Sequence, residues 1–284
     1  MSIGELFGES DNPLSQEERQ QLHELVVATA RRSLVCRRFI DLFGPLGAGV
    51  QAVPYLEFGS QAPGSIDLAG DADNPAVSPS SRSFKTLPII YKDFLLHWRD
   101  IQAAHDHNLP LDLSAAAVAA AFCAQKEDEL IFFGDKGLGV PGLLTAEGRL
   151  VASLGRWDEP GGGLASVVAA TERLTQEGYF APYVLVTSPR LFALLHRVHE
   201  RTGVLEVETV RAFLGAGVYQ SNLLRGDLAL LIAVGPQNLD LAIAVDLTVA
   251  HLGPDKLNHP FRVLEVVMPR IKRPKAICSL EPGA

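Results

Sequence analysis

Leu22, Leu25, Val26, Thr29 and Ser33 recur at three- and four-residue spacing, with the charged residues set between them. That period predicts an amphipathic helix whose one face seeks a partner. Ser15 followed by Glu18 is a capping box that marks its start. Gly44-Pro45 closes the region. Over residues 53–83 the period is lost, because Pro54, Pro63, Gly64, Gly70, Pro75 and Pro79 interrupt short apolar pieces. A structureless insertion of that length is unusual inside a compact domain. Such a segment is either disordered or an extended arm stabilised from outside its own domain.

Helical patterning returns at residues 115–133, where Asp112 or Ser114 can cap and Gly134 stops the helix. Its alanine-rich opening has high helix propensity and little bulk, so other backbones can approach closely. Gly161 to Gly163 lead into a helix carrying Leu164, Val167, Val168, Thr171 and Leu174, stopped at Gly178. Residues 183–187 predict a buried strand. Ser188-Pro189 then opens a helix with Leu191, Leu194, Leu195 and Val198 on one face. The clearest strand signal is Leu239, Leu241, Ile243, Val245, Leu247 and Val249, a period of two, flanked by strands at 228–234 and 261–268. Mixed helices and strands without a repeating βαβ unit predict an α+β fold.

Composition narrows the function classes. With 284 residues and 47% apolar content the chain can fill a sizeable core. A formal net charge of −8 argues against nucleic acid as the main partner, since phosphate binding wants a basic surface. Three cysteines, Cys36, Cys123 and Cys278, form no CxxC pair and predict reduced thiols in a cytoplasmic protein. The acidic first ten residues lack a signal-peptide pattern. No apolar run approaches the roughly 20 residues of a membrane span, so no membrane partner is expected.

Candidate chemistry is sparse. Gly137, Gly139 and Gly142 spell GxGxxG, yet they follow a long helix instead of a strand, so a plain turn is the better reading. His196 and His199 share a predicted helix, and His105-Asp106-His107 is compact, but neither supplies a full ligand set; no metal site is assigned. GxSxG and HExxH are absent, and no catalytic residue is assigned. Cys36, set between arginines, could have a lowered pKa if their guanidinium groups approach it.

Residues 30–49, ARRSLVCRRFIDLFGPLGAG, place Arg31, Arg32, Arg37, Arg38 and Asp41 before a glycine-rich turn. This stretch resembles the N-terminal helix end of the encapsulins, bacterial shell proteins. Phe84-Lys85-Thr86-Leu87-Pro88-Ile89-Ile90, Tyr91-Lys92-Asp93-Phe94, Trp98-Arg99-Asp100, Glu127-Asp128-Glu129-Leu130-Ile131-Phe132, Ala181-Pro182-Tyr183 and Asn258-His259-Pro260-Phe261-Arg262-Val263 resemble later family blocks, in order along nearly the whole chain.

The resemblance implies a tailed-phage major capsid fold of the Hong Kong 97 type. It divides the chain into 1–52, the N-terminal helix and start of a peripheral domain; 53–84, an extended two-stranded arm lying across a neighbouring subunit; 85–145, the peripheral domain with its spine helix; 146–248, the axial domain; and 249–284, a return. It implies a non-enzymatic subunit that assembles with 60 copies of itself, or a multiple, into an icosahedral nanocompartment. The shell requires no cofactor, and iron is handled by its cargo. That cargo is a protein with a C-terminal targeting peptide, ferritin-like by the resemblance of Asn12-Pro13-Leu14 and the arginine-rich segment. A dye-decolourising peroxidase cargo, a prophage capsid subunit and a stand-alone enzyme are the alternatives.

The family's docking groove carries over to Leu22, Val26, Leu34, Arg37, Phe39, Asp41, Val249 and His251. Its five-fold pore loop carries over to His199, Glu200, Arg201, Thr202, Gly203 and Val204.

Overall fold

The computed structural model describes residues 12–59, 63–71, 73–107, 109–198 and 203–283. Helix α1 (Gln16–Ser33) starts at the expected box: Ser15 Oγ accepts from Glu18 N at 3.2 Å, and the Glu18 carboxylate accepts from Ser15 N at 2.8 Å. A 3₁₀ turn (Cys36–Arg38) leads to β1 (Asp41–Phe43), then β2 (Ala52–Glu57), β3 (Ser81–Thr86) and β4 (Ile89–Leu96). Helices α2 (Trp98–His107) and α3 (Ser114–Phe133) follow, with the short strands β5 (Gly134–Asp135) and β6 (Val140–Pro141) and then β7 (Leu150–Ser153). Next come α4 (Gly162–Gln176), β8 (Tyr183–Thr187), α5 (Pro189–Leu195) and α6 (Glu206–Leu214). The chain ends with β9 (Gly215–Gln220), β10 (Ala229–Ala233), β11 (Leu239–His251), β12 (His259–Ile271) and β13 (Ile277–Glu281).

Two compact units arise from discontinuous stretches. The first holds residues 1–51, 87–142 and 241–269; the second holds 52–86, 143–240 and 270–284. The long strands β11 and β12 therefore cross from one unit to the other at their ends, a division that local periodicity does not show.

In the first unit, a sheet of order β1-β11-β12-β4 is formed, with β4 antiparallel to β12. Phe94 and Phe261 are paired in that register and stack with centroids 5.4 Å apart. Helix α3 packs on both α1 and β4. Its small buried residues Ala116, Ala119, Ala120, Cys123 and Ala124 permit the close approach that the alanine-rich opening predicts. Asp112 Oδ1 accepts from Ser114 N at 2.9 Å, while Leu113 occupies the cap position itself.

The GxGxxG run belongs to the tight β5–β6 ladder after α3. A Cβ on Gly142 would lie 2.2 Å from Gly134 N, so glycine serves a close backbone approach there and not a phosphate.

The second unit is built on a five-stranded sheet, β7-β13-β10-β8-β9. Every residue of β8 and β10 is buried. Leu185 and Leu231 join Leu174 of α4, Leu191 of α5 and Leu214 of α6 in one core. Helix α5 ends at Leu195, earlier than the apolar spacing predicts: Val198 is exposed and bridges to Leu205. Helix α4 opens on Gly161 with no capping side chain of its own. Glu206, at the start of α6, supplies the missing acceptor, taking Leu164 N–H at 2.8 Å. Glu206→Ala should therefore cost about 1–3 kcal/mol, the usual penalty for orphaning a buried donor, seen as a lowered thermal midpoint.

Strands β2 and β3 pair antiparallel from Ala52↔Thr86 to Glu57↔Ser81. Their root is tied down: Tyr55 Oη donates to Ile271 O at 3.1 Å, and Phe58 N to Lys272 O at 2.8 Å. The segment is thus a hairpin with a stable base and a loop beyond it.

Candidate functional site

The arginine-rich turn folds against the first unit through charge. Asp128 of α3 accepts from Val35 N at 2.8 Å and from Cys36 N at 3.0 Å, fixing the turn's backbone. Burial pushes the Asp128 carboxyl up to about 6, against the pull of those two backbone bonds. Arg37 then enters a carboxylate cage. Its Nε and Nη2 reach Glu127 at 2.9 and 2.6 Å, Nη2 reaches Glu265 at 2.8 Å, and Nη1 reaches Asp246 at 2.6 Å. Burial works against the guanidinium charge, but Glu127, Glu265 and Asp246 outweigh it and hold the proton more tightly than usual.

Arg37 and Asp246 of this cage line a cleft of about 330 Å³, together with Val27, Ala30, Arg31 and Leu34 at the end of α1, Leu42 of β1 and Leu247 of β11. Arg38 also lines it, its Nε donating to Leu34 O at 3.0 Å. Apolar walls with charged groups among them suit an extended peptide, which needs pockets for side chains and a few polar anchors.

Of the docking residues expected from sequence, Leu34 and Arg37 line this cleft. Leu22 and Val26 are 2% and 0% exposed and belong to the core; the open wall of α1 is Val27 and Arg31, with the buried Ala30 at its base. Phe39 is half-buried behind the 3₁₀ turn, and Asp41 is exposed on β1 beside Leu42. Val249 is half-buried on β11, and His251 is buried against the rings of His259 and Phe261, at 5.6 and 4.8 Å.

In the expected pore turn, His199, Glu200, Arg201 and Thr202 lie outside the described residues. Gly203 and Val204 are exposed. His196 caps the end of α5, its Nδ1 against Phe192 O at 2.9 Å. His105 pairs with Glu18 at 3.2 Å. Cys36 is enclosed, and burial, followed by the charge of Asp128, drives its thiol up, opposite to the lowering that flanking arginines would give. Sequence reasoning missed the carboxylates, which lie 90 to 228 residues from Arg37 along the chain.

A larger cleft, about 530 Å³, lies in the second unit at the hairpin root, where Arg273 stacks on Tyr179 and Lys275 pairs with Glu177. Glu57 and Glu147 also line it. Among the described residues no helix is long and apolar enough to cross a membrane.

The comparisons with known proteins agree with one another. A family model described as "Encapsulating protein for peroxidase" matches residues 5–268. The chain is 56% identical over 277 residues to the type 1 encapsulin shell protein EncA of Myxococcus xanthus, covering 98% of this chain and 96% of that one. It is 43% identical over 272 residues to a diheme-cytochrome–encapsulin shell fusion protein of Kuenenia stuttgartiensis, covering 96% of this chain and 75% of the fusion.

Among solved structures, the virus-like particle of Pyrococcus furiosus superposes with a TM-score of 0.74 at 21% identity, over 92% of this chain and 98% of that one. The capsid of Myoviridae phage XM1 gives 0.62 at 13% identity, over 99% and 98%. These likenesses establish the phage-capsid fold of the Hong Kong 97 type, and the sequence relatives establish its kind. The chain belongs to the encapsulin family, whose shell subunits assemble into capsid-like particles.

Proposed function

We propose that this chain closes an icosahedral shell of about 60 copies or a multiple, and that the cleft beside α1 holds the C-terminal targeting peptide of a ferritin-like, iron-storing cargo. The shell then acts in the cytoplasm as a container, with iron chemistry left to the cargo and no cofactor of its own. The cleft carries the reading: apolar walls from Val27, Ala30, Leu34 and Leu42 stand beside a guanidinium already immobilised by three carboxylates. A docking peptide loses backbone freedom, and a pre-organised anchor reduces the cost of ordering its partner.

Support for the ferritin-like cargo comes from a Pyrococcus furiosus relative named as a ferritin-like–encapsulin shell fusion protein. It is 25% identical over 200 residues, covering 70% of this chain and 54% of that one. The peroxidase in the family description supports a second reading, a dye-decolourising peroxidase in the same groove. Co-expressing the shell with each cargo class and weighing what co-purifies separates the two.

Asp41→Ala and Leu42→Asp test the groove. Both residues are exposed, so the shell should assemble normally while captured cargo falls several-fold. Full cargo in both variants would place docking elsewhere. Val26→Asp is a poor probe, because it buries a charge in the core.

A further inference from the structure

One guanidinium in the cage meets three carboxylates, which leaves an excess of negative charge. Asp246 is 61% exposed, so water and salt screen it. Glu127 and Glu265 are 0% and 1% exposed, where an uncompensated ion is costly. Both Glu127 oxygens and Glu265 Oε2 accept from Arg37. Glu265 Oε1 is buried and receives no donor from any described residue. Glu127 Oε2 and Glu265 Oε2 accept from the same Arg37 Nη2, at 2.6 and 2.8 Å, which sets the two carboxyl groups side by side. Two carboxyl groups can bond to each other only when one of them is protonated and donates.

We propose that the Glu265 carboxyl keeps its proton at neutral pH beside Glu127, and that this buried proton latches the 36–38 turn onto α3 and β12. The inference rests on the cage alone and is independent of what occupies the cleft. The groups that bear on the pair are few. Arg37 and Cys36 come from the turn, Cys123 and Asp128 from α3, and Asp246 from β11, while Lys92 and Asp93 of β4 act on Cys123. Arg31 of α1 acts on Asp246. Arg37 is the cation that hydrogen-bonds to both glutamates, and it cannot neutralise two buried charges alone. Burial, then the charge of Glu127, pushes Glu265 well above its ordinary range.

The direction of the effect follows from proton binding. The folded subunit keeps a proton that the unfolded chain releases above about pH 4.5. Stability from this pair is therefore greatest in acid. It falls as pH rises, until the folded Glu265 carboxyl itself ionises.

Glu265→Gln keeps the shape and supplies a permanent N–H donor to Glu127. In the assembled shell, the melting temperature of this variant relative to the unaltered protein should rise steadily between about pH 5 and pH 9. A difference that stays constant over that range would overturn the proposal. Infrared spectroscopy of the unaltered shell gives an independent reading. A protonated-carboxyl C=O band should be present at neutral pH and disappear in alkali. Its absence at neutral pH would overturn the proposal whatever the variant does.

Discussion

Replacing residues 63–78 with a short glycine–serine turn should leave a folded subunit that no longer closes into particles. The loop carries Ile66, Leu68 and Val77 at 100%, 108% and 69% exposure, apolar side chains with no cover inside their own chain. Burying such groups between copies supplies the driving force that assembly requires. The cut must spare the hairpin root. Removing residues 53–83 whole would take out Val53 and Tyr55, each 2% exposed, and with them part of the second unit's core. Circular dichroism checks the fold and gel filtration the assembly. Normal shells from the loop variant would show that the loop is dispensable for closure.

Arg37→Ala should be the most damaging single exchange in the first unit. It strands the buried Glu127 and Glu265 side chains with their cation gone, and breaking a buried ion pair in this way typically costs about 3–5 kcal/mol. Arg37→Lys should recover only part of the loss, because a point charge cannot bridge three acceptors as the guanidinium fork does. The expected result is a large drop in melting temperature for alanine and a smaller one for lysine. A melting temperature for Arg37→Ala close to the unaltered value would mean that the cage contributes little to holding the turn.

Local rules in the sequence account for much of this fold. The box at Ser15 and Glu18, the alanine-rich α3 and the cap at Ser188 depend on contacts within a few residues, and β8 shows itself as a continuous apolar run; each forms as the pattern predicts. Helix α6 escaped notice because its period is carried by only Val207, Val210 and Leu214 over nine residues, too short to stand out from its surroundings. Strand β13 is five residues with no alternation, since four of them are buried on a central strand.

The cleft was legible only through resemblance. Which face of α1 it uses depends on how α3 takes up Leu22 and Val26, and that is a tertiary fact. Arg37 stood out in the sequence, but its three partners, at 127, 246 and 265, come from three separate elements and share no spacing with it. No periodicity could have joined them.

Electron microscopy of the purified protein, with gel filtration of the same sample, tests the shell reading most directly. Closed icosahedral particles in the megadalton range, built from about 60 copies or a multiple, are the predicted result. A uniform population of monomers or dimers, with no particles under any assembly condition, would contradict it.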